Sequence, residues 1–278
     1  MIAGRMAAIH TEARFEEAIE RDLLASGGYT KGDPAAFDRA LALFPSELFA
    51  FVEASQPELW ALLRKDHGAN LEQALLDAVV KNLASRGTLE VLRHGLKVFG
   101  RRVDLAFFRP AHGLNPDLEQ RYQANRLSVT RQVRFDPDRN DSVDVLLSLN
   151  GLPIATLELK NSITGQTALH AKKQYADDRD PRLPLFAFKQ RALVHFAVDT
   201  DEVFMTTRLA GRATYFLPFN RGNAGGKGNP TIEGEPYKTA YLWREVLERH
   251  SVLDILARFV HLVTSEEKTP EGRTLTKE

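Results

Sequence analysis

Residues 139–161, Arg-Asn-Asp-Ser-Val-Asp-Val-Leu-Leu-Ser-Leu-Asn-Gly-Leu-Pro-Ile-Ala-Thr-Leu-Glu-Leu-Lys-Asn, hold the pattern from which the rest of the chain is best read. Two β-like runs flank an Asn-Gly pair, and side chains in such runs alternate between faces. In the first run Val143, Val145, Leu147 and Leu149 share one face, and Asp144, Leu146 and Ser148 share the other. In the second, Pro153, Ala155, Leu157 and Leu159 are apolar partners, while Ile154, Thr156, Glu158 and Lys160 form the more polar face. Asn150-Gly151 between them is a strong hairpin signal. A two-residue turn there pairs Leu149 with Leu152 and Asp144 with Leu157, which mixes the faces, because a one-residue slip inverts every side chain. A three-residue loop, Asn150-Gly151-Leu152, pairs Asp144 with Glu158 and gathers the apolar residues on one side. The connection is therefore expected to be bulged or three residues long, with the two carboxylates as cross-strand neighbours, Cβ atoms ~4.5–5.5 Å apart.

Two carboxylates set opposite each other repel unless a cation lies between them. Mg²⁺ prefers hard oxygen ligands and is commonly held by one or two carboxylates plus phosphate and water. Such an ion polarises a phosphoryl oxygen and acidifies bound water. Lys160, two residues after Glu158, places an ammonium beside the pair to position water or stabilise developing charge. The alternative reading is an ordinary surface strand pair with solvated charges, since Glu-x-Lys by itself is common.

Working outward, the 278 residues are 43% hydrophobic, enough for one large domain or two small ones. There is no cysteine, which excludes disulfides and cysteine-based zinc sites and fits a cytoplasmic protein. No apolar run approaches the ~18 residues of a membrane span, and the N-terminus lacks a basic-then-apolar signal pattern. Lysine plus arginine balance aspartate plus glutamate at 37 each. That zero net charge argues against strong independent binding to nucleic acid, whose affinity comes largely from phosphate neutralisation.

Residues 11–26 read as an amphipathic helix on Phe15, Ile19 and Leu23, ended by Gly27-Gly28. Glu12 and Glu16 lie on or beside its apolar stripe. Helices are also expected over 35–53, 57–66 and 69–85, giving an N-terminal helical layer. Strands are expected over 96–99, 103–108, 126–135, 143–149, 153–160, 192–198 and 202–207. A helix over 165–179 makes a crossover between two of them, so the sheet is expected to be partly parallel or mixed. A helix follows over about 239–264. The fold class is thus α/β (α+β), a mixed central sheet flanked by helices. The expected organisation is one domain over 1–264, with a mainly helical layer at 1–90 and a sheet-containing core at 91–264. Residues 265–278 read as a linker or frayed tail.

Three further features bear on function. Gly222 to Gly228 is glycine-rich, but Lys227 is followed by Gly228, so it fails the Walker pattern and reads as a surface loop. The histidines form no His-x₃-His or His-Glu-x-x-His pair, which disfavours a zinc hydrolase, and His195 reads as a packed strand histidine. Basic residues cluster at Arg126, Arg131 and Arg134, and at Lys172, Lys173, Arg179 and Arg182; the second group is the preferred phosphate-contacting surface.

The hairpin continues into Lys160-Asn161-Ser162-Ile163-Thr164-Gly165-Gln166-Thr167-Ala168, Gln174-Tyr175 and Asp178-Arg179-Asp180-Pro181. Val194 to Asp199 and Val203 to Thr207 follow, then Phe216-Leu217-Pro218-Phe219-Asn220 and Tyr241-Leu242-Trp243. With Thr11-Glu12 and Gly27-Gly28-Tyr29 upstream, this series resembles the N-terminal nuclease region of the restriction (R) subunit of type I restriction-modification enzymes, of the PD-(D/E)xK nuclease superfamily. The resemblance implies a PD-(D/E)xK core cleaving DNA, with Asp144, Glu158 and Lys160 matching the catalytic Asp, Glu and Lys. It implies Mg²⁺ held by Asp144 and Glu158, with Mn²⁺ as a substitute. It also implies an acid on the first helix, assigned to Glu16 with Glu17 and Glu12 as rivals. Many relatives carry Gln-x-x-x-Tyr on the helix after the lysine strand. Tyr175 fits the tyrosine, but Ala171 stands where the glutamine belongs, with Gln174 or Gln166 as substitutes. The partners implied are DNA, methyltransferase and specificity subunits, and two ATP-driven motor lobes of a longer chain. No Walker motif occurs, so the sequence reads as an N-terminal piece that binds no ATP itself. A free-standing restriction or repair nuclease and a non-catalytic docking module stay open as alternatives.

Overall fold

The computed structural model describes residues 2–109, 115–162, 165–263, 265–268 and 274–277, with side chains from residue 12 to 263. The chain opens on a long helix, α1 (Ile2–Ala25), and a short strand, β1 (Tyr29–Lys31). Four helices follow: α2 (Pro45–Ser55), α3 (Pro57–His67), α4 (Asn70–Arg86) and α5 (Thr88–His94). A small hairpin, β2 (Leu96–Val98) and β3 (Arg101–Val103), leads to α6 (Pro116–Gln123). The sheet core comprises β4 (Leu127–Arg134), β5 (Ser142–Leu149), β6 (Leu152–Leu159), α7 (Ala168–Asp178), β7 (Val194–Val198), β8 (Val203–Thr206) and β9 (Leu217–Pro218). A π-helical turn over Leu242–Val246, helix α8 (Arg249–Asp254) and a second π-helical turn over Ile255–Phe259 complete the packed part.

Seven strands form one mixed sheet in the order β1-β4-β5-β6-β7-β8-β9. β1 with β4 and β6 with β7 are parallel, and the remaining neighbours are antiparallel. The parallel β6–β7 pair requires a crossover, and α7 supplies it. Two hydrophobic clusters pack against the sheet. One takes Val145, Leu147, Leu157 and Leu159 together with α1 and the N-terminal helices, and the other takes Leu146, Ala171, Tyr175 and Phe186. Every residue of β6 is consequently buried, so its polar face looks into protein and not into solvent.

The hairpin joins its strands by a device the sequence reading offered only in part. The turn has two residues, with Leu149 opposite Leu152, and the register shifts between Leu147 and Ser148. Beyond the shift Leu147 faces Ala155 and Val145 faces Leu157, and continuing by one residue sets Asp144 against Glu158. The three-residue loop is therefore corrected to a tight turn plus a bulge. The bulge carries the phase change: Leu152 and Ile154 join the same cluster as Ala155, Leu157 and Leu159. Asn150 and Gly151 both hold positive φ, 54° and 83°, as a primed turn demands.

Other boundaries moved for local reasons. Residues 35–53 are not one helix, because Pro45 opens α2 and a short 3₁₀ turn, Pro34–Ala36, precedes it. Residues 104–108 add no strand after β3. The span 239–264 alternates π- and α-helical turns and ends at Phe259. Within 265–278, Ser265–Lys268 and Thr274–Lys277 pair as antiparallel strands, β10 and β11, and the rest of that stretch lies outside the described residues. Among the described residues no helix is long and apolar enough to cross a membrane.

Candidate active site

A cleft of about 790 Å³ opens where α1, β4, β5 and α7 meet the end of β6. Glu12, Glu16, Gln132, Asp144, Lys160 and Arg179 are among its lining residues. Asp144 sits near the start of β5, and its Oδ2 accepts the Leu159 backbone N–H at 2.7 Å, which pins the carboxylate against the end of β6. Glu158 itself does not line the cleft. It is fully buried, and its Oε1 accepts from Arg179 Nε at 2.8 Å, while Arg179 Nη2 also reaches the Ser142 carbonyl at 2.9 Å. Its other oxygen, Oε2, is buried and has no hydrogen-bond partner.

Electrostatics express the same crowding. Burial, reinforced by the Asp144 charge, raises the Glu158 carboxyl well above the usual range, against the pull of Arg179. Burial and then Asp144 likewise push Glu16 up to about 7, opposed by hydrogen bonds from Arg131 and Gln132. Glu12 is raised by burial and by Asp144, with Lys160 acting in the other direction. Lys160 Nζ stands 3.9 Å from Glu12 Oε1. Burial is the main cause in all three acids, and Asp144 adds a like charge to each, which Lys160 outweighs only at Glu12. An excess of carboxylate charge and an orphaned, buried carboxylate oxygen suit a hard cation. Asp144 and Glu158 are the pair that could hold it, although among the described residues no three acids, histidines or cysteines converge as a ready-made metal cluster.

Of the residues singled out from sequence, Asp144, Lys160, Glu16 and Glu12 are brought to one cleft, with Glu158 directly behind it. Glu16 rather than Glu17 points in, bonding Arg131 at 3.1 Å and Gln132 at 2.9 Å, whereas Glu17 is largely exposed. Tyr175 does not line the cleft: it is fully buried, close enough to Glu158 for that charge to add to burial in raising its hydroxyl pKa, and it shares a 2.8 Å hydrogen bond with Thr156, which in turn bonds His195 Nδ1 at 2.8 Å. His195 is indeed a packed strand histidine, its pKa pulled down to about 3 by burial.

The proposed phosphate-contacting group does not form one surface, which corrects that reading. Arg179 is inside the protein, ion-paired to Glu158 and stacked on Phe135. Lys172 lies over the rings of Phe204 and Phe216. Arg182 is exposed but folded back onto Asp180. Only Lys173 of the four stays along α7 near Gln174 and Asp178 in a shallow depression. Sequence reasoning missed Gln132 and the inward role of Arg131 and Arg179. Extending the hairpin parity to the neighbouring strand would have set Gln132 beside Asp144.

No curated protein matches the chain. A family model does, and it spans the hairpin, α7, β7 and β8. By that match over residues 52–214, more than half its length, the chain belongs to the family described as the type I restriction enzyme R protein N terminus.

Proposed function

We propose that the chain is a Mg²⁺-dependent endonuclease domain that cleaves DNA phosphodiesters within a type I restriction complex, with a PD-(D/E)xK active site. The observation that carries this reading is the opposition of Asp144 and Glu158 across the bulged hairpin, with Glu158 Oε2 left without a partner and Lys160 two residues on. A divalent cation at that pair would supply Lewis-acid polarisation of the scissile phosphate and acidify a bound water. The protein's own groups then divide the remaining tasks. Asp144 is fixed through Oδ2 by the Leu159 N–H and through Oδ1 by the Gln132 amide, so the carboxylate is oriented before substrate arrives. Arg179 keeps the buried Glu158 compensated and immobile. Lys160 offers a donor at the cleft wall to hold the attacking water or to stabilise charge on the phosphate. Glu16 faces the same space with its proton affinity raised towards neutrality, a suitable state for accepting a proton from water.

The methyltransferase and specificity subunits and the ATP-driven motor lobes belong to the same proposal, as partners that would bring DNA to this cleft. The decisive experiment compares Asp144→Asn and Lys160→Ala with the unaltered chain inside the assembled restriction enzyme. Each should reduce DNA cleavage by at least about a hundredfold while ATP-driven translocation continues. Near-normal cleavage by Asp144→Asn would overturn the assignment.

A further inference from the structure

Gln132 lines the cleft with a backbone conformation that the strand around it does not require. It lies within β4, yet its φ is +52°, a left-handed conformation that an unbranched L-residue adopts at a cost. The strand ladder skips it: Arg131 pairs with Val145 and Val133 with Val143, and the pair between them, Gln132 and Asp144, is interrupted. What the distortion achieves is visible in the side chain. Gln132 Nε2 donates to Glu16 Oε1 at 2.9 Å and to Asp144 Oδ1 at 3.3 Å, while its Oε1 accepts from Ser142 Oγ at 2.9 Å. One amide therefore bridges acids from two different elements, α1 and β5, whose charges repel each other. A glutamine in ordinary extended geometry at this position would continue the ladder.

We infer that Gln132 is a positioning residue, held in a strained backbone so that its amide sets the spacing and orientation of Asp144 and Glu16 around the cation and the attacking water. This rests on the nuclease reading above and deepens it. The amide is neutral, so it separates two carboxylates without cancelling the negative charge that a divalent cation needs. Arg131, the chain neighbour that donates to Glu16 and Glu20, cannot substitute, because a guanidinium on Asp144 would compete with the metal.

The test uses Mn²⁺ binding to the 278-residue chain, followed by electron paramagnetic resonance, alongside thermal unfolding. Gln132→Gly accepts the positive φ without strain and removes only the amide. It should weaken Mn²⁺ binding about tenfold, the usual effect of losing a group that orients a metal ligand, with Tm within about 3 °C of the unaltered chain. Gln132→Asn, which also tolerates left-handed backbone and keeps a shorter amide, should recover part of the affinity. Asp144→Asn serves as the reference. If it abolishes Mn²⁺ binding while Gln132→Gly binds normally, the role of Gln132 is refuted and the metal site stands. If Asp144→Asn itself leaves Mn²⁺ binding unchanged, the nuclease reading fails first. A fall in Tm that accounts for the lost affinity would reduce Gln132 to a structural residue and overturn the inference.

Discussion

At the scale of single residues, the cleft is organised by carboxylates forced together and partly relieved by cations and amides. Glu16 gives this a pH signature. Its folded pKa, about 7, exceeds the ordinary value of 4.5, so the folded state holds its proton more tightly than the unfolded chain does. The stabilisation from that proton is complete below about pH 4.5 and is lost as pH rises through about 7. Thermal unfolding in a chelator should therefore show Tm falling across that window, and Glu16→Gln should flatten the fall. Adding Mn²⁺ should flatten it in part, because a cation offsets the Asp144 charge that adds to burial in raising Glu16. A slope unchanged by Glu16→Gln would show that other groups control it. The Arg179–Glu158 pair makes a second test. Both side chains are almost wholly buried, and removing one partner of a buried pair leaves the other uncompensated, at ~3–5 kcal/mol. Arg179→Met and Glu158→Gln should each lose stability on that order, while the double substitution should lose much less than their sum in a double-mutant cycle. Additive losses would mean the pair is not coupled.

At the scale of elements, the hairpin turn carries the register of the site. Asn150 is buried, and its side chain donates to the Leu105 carbonyl at 2.9 Å and accepts from Arg126 N–H at 2.7 Å. Gly151 lies against the start of α2, where an added Cβ would come within 2.5 Å of the Phe44 carbonyl and 2.8 Å of the Leu48 nitrogen, at a positive φ besides. Gly151→Ala should thus be destabilising by about 2–4 kcal/mol, measured by denaturant unfolding, and should disturb the site although it lies seven residues from Asp144. A cost under 0.5 kcal/mol would mean the turn is not clamped. The legibility of this element is instructive. Parity was enough to put Asp144, Glu158 and Lys160 on one face, because one apolar face had to be buried. Parity could not choose between a longer loop and a tight turn with a bulge, since both restore the phase; the choice was made by α2 docking on the turn. Residues such as Arg179 were misread for a related reason. Its charge suggested solvent, and only the tertiary fold, which closes Phe135 and Ser142 around it, reveals the buried partner. The position of Gln132 opposite Asp144 follows from strand parity, but its left-handed backbone left no local trace, because that conformation goes with its interactions with α1 and β5 and with no propensity of its own.

At the scale of the whole molecule, charge placement decides how the domain meets its substrate. The sequence is balanced at 37 basic and 37 acidic residues, and the structure shows where the basic ones are spent near the cleft. Among the described residues lining it, Arg131 is paired with Glu16 and Glu20, Arg139 with Asp141, Lys160 with Glu12 and Arg179 with Glu158. A phosphate entering the cleft must compete for each of these cations with a carboxylate already in place. Few counterions are then released on binding, and the slope of log affinity against log salt should be shallow, on the order of −2, since each neutralised phosphate contributes about −0.9. The isolated chain should consequently bind DNA weakly and cleave it slowly or not at all at moderate salt. Loading the site with Mg²⁺ or Mn²⁺ should favour both steps, because a cation on Asp144 and Glu158 removes the local repulsion that an entering phosphate meets. A gel-shift titration across salt concentrations and a plasmid-nicking assay, each with and without Mn²⁺, measure the two steps separately. Tight binding with a steep salt slope in the absence of metal would contradict the pairing of the cleft cations and point to a basic surface elsewhere, with Lys173 on α7 the first residue to substitute.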